Sequence, residues 1–206
     1  MTAIGVMVDR DRAVLWADTQ VFRDGVPSRH APKLFVNPTA RVAGCGTGWH
    51  ALLRHAGHAV TAATCIHDLA EELPTLLRHQ AARVADWRAD PETFAENIYL
   101  AAGWSARYRR AVGYVFAATD YFAPTMVRTF ASPPVPGIEA MEGREEELHG
   151  VVVEQLAELE RIYDCTIGGN VIAATISRNE VAARVLVSLA GASAATPEAR
   201  AAALLE

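Results

Sequence analysis

The chain has 206 residues and a mass of 22.2 kDa, with 51% hydrophobic and 21% charged residues. This length and composition predict one globular domain over 1–206, and the apolar runs are too short to cross a bilayer, so we expect no membrane partner. The formal net charge of −5 and a pI near 5.8 exclude the basic footprint of a nucleic-acid-binding protein. The first residues lack the pattern of a secretory signal, and three cysteines, an odd number, favour reduced thiols, so we expect a cytoplasmic protein.

The first part of the chain predicts antiparallel strands. Residues 2–8 and 13–17 are short apolar runs separated by a polar turn, which is typical of a β-hairpin. A second hairpin is predicted around Asp24-Gly25, a strong turn dipeptide, with residues 33–36 as the returning strand. Asn37-Pro38 then predicts a turn into a further strand.

Helical spacing follows from Trp49 onward. Apolar residues recur at steps of three and four between positions 52 and 77, which predicts two helices. Asp90-Pro91 combines an N-cap residue with a proline at the first helical position, and we expect a helix that carries Phe94, Ile98, Leu100 and Ala101, with no defined C-terminal end.

Strands and one long helix are predicted in the second half. Residues 113–118 and 126–130 are expected to pair as strands, and 133–137 to form a loop. An acidic start and an apolar stripe predict an amphipathic helix over 139–163, followed by a strand at 168–176 and a helical tail from about residue 196. The apolar faces of both kinds of element must cover one another, and two packed sheets with helices outside them achieve this economically. The predicted fold class is therefore α+β.

Lys33 is the only lysine among the 19 Lys and Arg residues of the sequence. Arginine is permanently charged and planar, whereas lysine carries a compact ammonium group whose pKa moves readily when it is buried near other charges. Surface solvation and ordinary ion pairs accept either residue, so the single lysine indicates a chemical role.

Thr2 follows the initiator methionine, and methionine aminopeptidases remove Met1 before a residue this small, so we expect Thr2 to become the N-terminus. A free α-amine has a pKa of about 7.7–8.0 and can accept the proton of the hydroxyl on the same residue. A nearby Lys33 would lower the pKa of this amine and stabilise an alkoxide, and Asp18 would hold the lysine through a charge-assisted hydrogen bond. The glycine-rich turn at 44–48 could direct backbone N–H groups at an oxyanion.

These residues resemble the active-site set of proteasome β-subunits and their bacterial heat-shock peptidase relatives, members of the N-terminal nucleophile hydrolase superfamily. The nucleophile, acid, lysine and oxyanion turn of the family are matched, in that order, by Thr2, Asp18, Lys33 and the Ala43-Gly44-Cys45-Gly46 turn, in which Gly46 supplies the N–H group. Lys33 lies one residue earlier than in the family. Asp164, ahead of Gly168-Gly169, resembles the aspartate that orients the amine of the nucleophile.

The resemblance implies the N-terminal nucleophile hydrolase fold, a four-layer αββα sandwich of two antiparallel sheets flanked by helices. It implies a threonine-type peptidase that hydrolyses peptide bonds without a cofactor or metal. It also implies self-assembly into a ring or related homo-oligomer and leaves room for an unfoldase ATPase as a partner. Val21, Gly44 and Gly48 would lie near the specificity pocket, where two glycines would make the pocket roomy.

Two other functions stay open. The chain has Ile167 where the family has a serine, and it lacks the Gly-Ser-Gly that precedes the third helix of the family. These departures, or a retained Met1, are compatible with a catalytically inactive assembly or binding module. A small-amide acylase would use the same nucleophile. A zinc site is disfavoured, because His55 and His58 share a helical face without an accompanying Cys-x-x-Cys or His-Glu-x-x-His motif.

Overall fold

The computed structural model describes residues 2–23, 26–84, 91–141, 145–164 and 167–189. Within these ranges the chain forms twelve strands: β1 (Ile4–Val8), β2 (Arg12–Asp18), β3 (Gln20–Arg23), β4 (Val26–His30), β5 (Leu34–Asn37), β6 (Val42–Thr47), β7 (Ile98–Ser105), β8 (Arg110–Ala117), β9 (Pro124–Val127), β10 (Thr129–Ser132), β11 (Asn170–Ser177) and β12 (Val181–Ser188). The helices of the same ranges are α1 (His50–Ala62), α2 (Ile66–Val84), α3 (Pro91–Ala95) and α4 (Glu145–Tyr163).

Ten of these strands form two five-stranded antiparallel sheets. The first sheet has the order β10-β1-β2-β11-β12, and the second has the order β5-β6-β7-β8-β9. The two remaining strands, β3 and β4, pair with each other as a separate antiparallel ribbon. The chain therefore begins in the first sheet, passes through the ribbon and enters the second sheet at β5.

Three apolar clusters show how the layers stack. Side chains from alternate positions of β1 and β2, such as Ile4 and Leu15, pack against Ala43 and Leu100 of the second sheet. On its other face the second sheet is covered by α1 and α2, whereas α4 covers the outer face of the first sheet. The described part of the chain thus stacks helix, sheet, sheet and helix, and the predicted α+β class with antiparallel sheets is confirmed.

Several predicted elements are confirmed with small shifts of their bounds. The first hairpin consists of β1 and β2, which pair from Ile4↔Ala17 to Val8↔Ala13. The two helices after Trp49 are α1 and α2, and the strand predicted at 168–176 is β11. The long amphipathic helix is α4, which begins at Glu145 instead of residue 139, and Ile138–Ala140 form a separate 3₁₀ turn. Residue 90 and the tail from about residue 196 lie outside the described residues.

The second predicted hairpin is wrong in its return strand. The ribbon β3–β4 supplies the hairpin around residues 24 and 25, which themselves lie outside the described residues. Lys33 instead lies between β4 and β5, and β5 pairs with β6 in the second sheet. Because the chain crosses from one sheet to the other at this point, Lys33 lies beside the ends of both.

The predicted helix through Ala101 is also wrong. Helix α3 ends at Ala95, and Ile98–Ser105 form β7, the central strand of the second sheet. Pairing with β6 on one side and β8 on the other determines the conformation here, and local spacing does not contain that information.

The strand predicted at 126–130 is divided between the sheets. Val127 belongs to β9 and pairs with β8, whereas Phe130 belongs to β10 and pairs with β1. The chain therefore passes from the second sheet back to the first at Arg128. No helix in the described ranges is long and apolar enough to span a bilayer.

Candidate active site

Thr2, Asp18 and Lys33 meet at the end of the sandwich where β1 begins and β2 ends. The register of this hairpin places Ala3 opposite Asp18, whose backbone N–H donates to the Ala3 carbonyl at 2.9 Å. In return, the backbone N–H of Ala3 donates to Asp18 Oδ2 at 2.6 Å. Thr2 precedes this doubly bonded pair, so the hairpin fixes the backbone beside its hydroxyl.

The ammonium group of Lys33 has three hydrogen-bond acceptors around it. Its Nζ donates to Thr2 Oγ1 at 2.8 Å and to Asp18 Oδ1 at 2.8 Å. The carbonyl oxygen of Gln20 accepts the third bond. An ammonium carries three protons, so every donor of Lys33 is used. The structure therefore places the only lysine of the chain on the hydroxyl of Thr2.

Asp18 binds the chain on both sides of this lysine. Its side chain is 1% exposed, and Oδ1 accepts the backbone N–H of Gln20 at 2.7 Å in addition to Lys33 Nζ. With the bond from Ala3, the carboxylate accepts three hydrogen bonds. Such a network fixes the orientation of a buried carboxylate and offsets part of its desolvation cost.

Burial and the neighbouring carboxylate act on Lys33 in opposite directions. The residue is 5% exposed, and its desolvation lowers the pKa of the ammonium, while the charge and the hydrogen bond of Asp18 raise it. Desolvation is the larger effect, so the pKa of Lys33 lies below its ordinary value. A lysine in this state is a strong local donor that loses its proton more easily than a surface lysine.

Gly46 lies on the strand next to Lys33. Leu34 of β5 pairs with Cys45 of β6, so Lys33 and Gly46 adjoin this pair on the two neighbouring chains. A Cβ at position 46 would lie 2.5 Å from a ring carbon of Tyr99, which explains the glycine by close packing as well. The structure thus brings Gly46 to the site end of β6.

Gly44 and Gly48 were expected to lie near the specificity pocket, but in the structure one is packed against a helix and the other forms a turn. Gly44 is buried, and a Cβ there would lie 2.6 Å from Val60 of α1, so the space beside it is filled by the helix. Gly48 is exposed, has a φ of 99° and forms the turn into α1 against Asn97. The structure therefore does not place Gly44 beside open space.

Asn97 acts as the cap of α1 from another element. Trp49 holds the N-cap position without a side-chain cap bond, and its backbone N–H donates to Asn97 Oδ1 at 2.8 Å. This contact fixes the turn between β6 and α1. Val21, the third residue expected near the pocket, is half-buried in β3 and pairs with Arg29 of the ribbon.

Asp164 is not hydrogen-bonded to Thr2 in the described part of the chain. It is exposed at the end of α4 with a φ of 47°. Ile167, in contrast, is buried in the apolar cluster beneath α4. Its side chain serves packing at the position where the family has a serine.

Thr47 is a buried polar residue, towards the site end of β6, that the sequence did not single out. It is 2% exposed, and its hydroxyl has no hydrogen-bond partner among the described residues. Alternation along β6 places it on the same face as Cys45, two residues nearer the end where Lys33 lies. A buried hydroxyl without a partner costs about 1–3 kcal/mol, so this position calls for an explanation. The predicted glycine-rich turn at 44–48 is wrong in its first part, since β6 continues to Thr47 and only Gly48 lies in the turn. The available signal for Thr47 was its place between two glycines.

Other reactive groups near the site do not form a second centre. Burial raises the pKa of the Cys45 thiol, and its Sγ donates to the Trp16 carbonyl at 3.5 Å, which is typical of an inert core cysteine. Among the described residues, no three His, Cys, Asp or Glu side chains are grouped to hold a metal ion.

Comparison with known proteins adds no name to this site. No family model matches the chain, and no curated protein matches its sequence. Function is therefore inferred from the residues of the site.

Proposed function

We propose that the protein is a threonine-type peptidase with the N-terminal nucleophile hydrolase fold, active after removal of Met1. One observation carries the proposal: Lys33 Nζ lies 2.8 Å from Thr2 Oγ1 and is held there by a buried carboxylate, Asp18. The only lysine of the chain thus directs a charged donor at the hydroxyl that would act as the nucleophile.

In the proposed mechanism, Thr2 Oγ1 attacks the carbonyl carbon of a peptide bond while its proton moves to the α-amine of Thr2. The tetrahedral intermediate collapses, the amine returns the proton to the leaving nitrogen, and an ester joins Thr2 to the acyl group. Water, activated by the same amine, then attacks this ester, the carboxylic acid leaves, and the hydroxyl of Thr2 is regenerated. Each step conserves its proton within the site, so no histidine is required.

Lys33 acts in this mechanism as a hydrogen-bond donor. Its three protons are directed at Thr2, Asp18 and the Gln20 carbonyl, so the nitrogen has no lone pair for the threonine proton while it is charged. The bond to Thr2 Oγ1 strengthens as negative charge develops on that oxygen. The α-amine is therefore the base.

The remaining roles follow from the family resemblance. Gly46 would donate its N–H to the oxyanion. The resemblance also assigns Asp164 to orienting the amine of Thr2, a role for which the described residues provide no hydrogen bond. The substrate would be a peptide or protein in the cytoplasm, and the peptidase would work as a ring or related homo-oligomer, with an unfoldase ATPase as a further candidate partner.

The test uses protein whose intact mass shows that Met1 is absent. We expect a peptide epoxyketone to add one equivalent to Thr2, because this reagent requires both the hydroxyl and the free amine. Thr2→Ser should keep the adduct and Thr2→Ala should lose it, with circular dichroism showing that both variants are folded. A folded, Met1-free protein that forms no adduct would overturn the proposal.

A second candidate is an inactive assembly or binding module. It is favoured by the exposed Asp164 and by the apolar packing of Ile167, since neither residue then supports the amine of Thr2. This candidate predicts a chain that retains Met1 and assembles normally. A small-amide acylase would be distinguished by labelling with the epoxyketone together with turnover of a short acyl amide and none of a peptide.

A further inference from the structure

A wide groove lies at the opposite end of the sandwich from Thr2. Strand β1 begins near Thr2 and ends at Val8 on the groove, so about 20 Å of extended chain separates the two places. The groove has a volume of about 1620 Å³ and is lined by five of the connections between strands. It is a separate surface from the candidate active site.

Arginine dominates the charge of this groove. Six of the 19 basic residues of the chain line it, with only two acidic ones, Asp9 and Asp11. The six are Arg10, Arg41, Arg109, Arg110, Arg128 and Arg178. Asp9 is already engaged by Arg12 at 3.2 Å, so its charge is partly compensated from its own turn. A chain of net charge −5 therefore concentrates positive charge at one end.

Two of these arginines lie where the backbone disfavours any side chain. Arg41 and Arg109 both have a φ of 54°, in the left-handed region that glycine and asparagine adopt most readily. This conformation costs a residue with a Cβ about 1–2 kcal/mol. The guanidinium of Arg41 donates to the Arg178 carbonyl at 2.7 Å, which accounts for an arginine at that turn. At Arg109, where glycine would satisfy the turn, arginine points to a use for the guanidinium in binding.

Contacts with α2 hold the turn that carries Arg109. The backbone N–H of Tyr108 donates to Ser105 Oγ at 2.9 Å, and Ser105 Oγ lies 2.7 Å from His67 Nε2 of α2. The rings of His67 and Tyr108 meet edge to face, with centroids 5.2 Å apart. A guanidinium on a braced turn loses less conformational freedom when it binds a partner.

The floor of the groove is apolar. Val8, Trp104 and Val127 line it, and Met126 and Tyr108 are exposed at 45% and 44%. Arginine, aromatic residues and methionine around an apolar floor are the composition of a protein–protein interface. Nucleic acid is disfavoured as the occupant, because the net charge of the chain would repel a long polyanion beyond the groove.

We infer that this groove docks an acidic peptide segment of a partner protein, with carboxylates on the arginines and apolar side chains on the floor. Arginine binds carboxylates with two parallel hydrogen bonds, which gives such a site orientation as well as charge. Docking here does not depend on the chemistry of Thr2.

The test measures fluorescence anisotropy of a labelled peptide of about 12 residues built of glutamate and leucine, long enough to cross the groove when extended. The triple variant R109Q/R110Q/R128Q should bind it at least about tenfold more weakly than the wild-type protein. The matched control R54Q/R78Q/R83Q removes the same charge from α1 and α2 and should bind within about twofold. If the triple variant does not fold, the single variant Arg128→Gln replaces it, and we then expect a smaller loss of affinity for the peptide.

Four results would overturn the inference. One is equal binding of a peptide in which glutamine replaces every glutamate, and another is equal weakening in the control variant. The third is tighter binding of a single-stranded oligodeoxythymidine than of the acidic peptide, which would assign the groove to nucleic acid. The fourth is evidence that the groove joins copies of this chain. In that case sedimentation would show a smaller assembly mass for the triple variant than for the wild-type protein, and the peptide would bind neither.

Discussion

The two ends of the sandwich handle positive charge in opposite ways. At the Thr2 end, one lysine is buried with all three of its protons bound inside the protein. At the other end, arginines line an open groove, and five of the six are exposed. A buried charge needs hydrogen-bond partners within the protein, and lysine directs all of its donors from one nitrogen. An exposed charge is hydrated and can bind another molecule. The choice between lysine and arginine in this sequence follows that difference.

The largest effect should come from breaking the buried pair. We expect Asp18→Asn to lower the free energy of unfolding by about 3–5 kcal/mol, because it leaves the Lys33 charge buried without a counter-charge. Urea unfolding followed by circular dichroism measures this loss. The matched control is Glu158→Gln, which breaks the exposed pair with Arg161 and should leave the midpoint unchanged. Equal unfolding midpoints for the wild type and Asp18→Asn would show that the buried charge of Lys33 does not need this counter-charge.

The candidate active site shows most clearly what could be predicted from the sequence alone. The single lysine and its spacing from Thr2 and Asp18 predicted which residues meet, because the chemistry restricts the residue types. The path of the chain was not predicted: Lys33 was assigned to a returning strand, whereas it lies at a crossing between sheets. Local turn signals identify a hairpin but not the sheet that the next strand joins.

The fold shows the same limit elsewhere. Helices α1, α2 and α4 carry a repeating apolar stripe, so their sequences predicted them. β7 was mistaken for helix because Ile98 and its neighbours are apolar on both faces in a central strand. β12 was not predicted at all, since this edge strand is mostly exposed and shows no regular alternation of buried residues. Thr47 was missed because an unpaired hydroxyl is visible only when its surroundings are known.

A second test of the comparison replaces the lysine at one end with arginine and an arginine at the other end with lysine. We expect Lys33→Arg to lower the rate of epoxyketone labelling by about 10² or more, although the charge is kept, because a planar guanidinium cannot direct three donors from one atom. At the other end, Arg128→Lys should leave labelling unchanged and reduce peptide binding by no more than about threefold. Labelling of Lys33→Arg at the wild-type rate would mean that charge alone is sufficient at Thr2.

A smaller effect is expected in the pH dependence of stability. Burial lowers the pKa of Lys33 below its ordinary value of 10.5, so the unfolded chain holds this proton to higher pH than the folded one. The free energy of unfolding should therefore rise with pH between the lowered pKa and about 10.5. The rise should appear in the difference between wild type and Lys33→Met, measured by urea unfolding at a series of pH values. A difference that stays flat across this window would show that the pKa of Lys33 is ordinary.

The smallest effect separates binding from stability at the exposed end. Arg109→Gly should raise the free energy of unfolding by about 0.5–1 kcal/mol, since it relieves a left-handed residue at the cost of glycine's greater freedom when unfolded. Arg110→Gly, one residue later at the start of β8, should lower it by a similar amount because no such strain is relieved there. Both variants remove one groove arginine, so both should weaken the acidic peptide alike. A loss of stability in Arg109→Gly would mean that the arginine supports the turn, and the argument from backbone strain to docking would then fail.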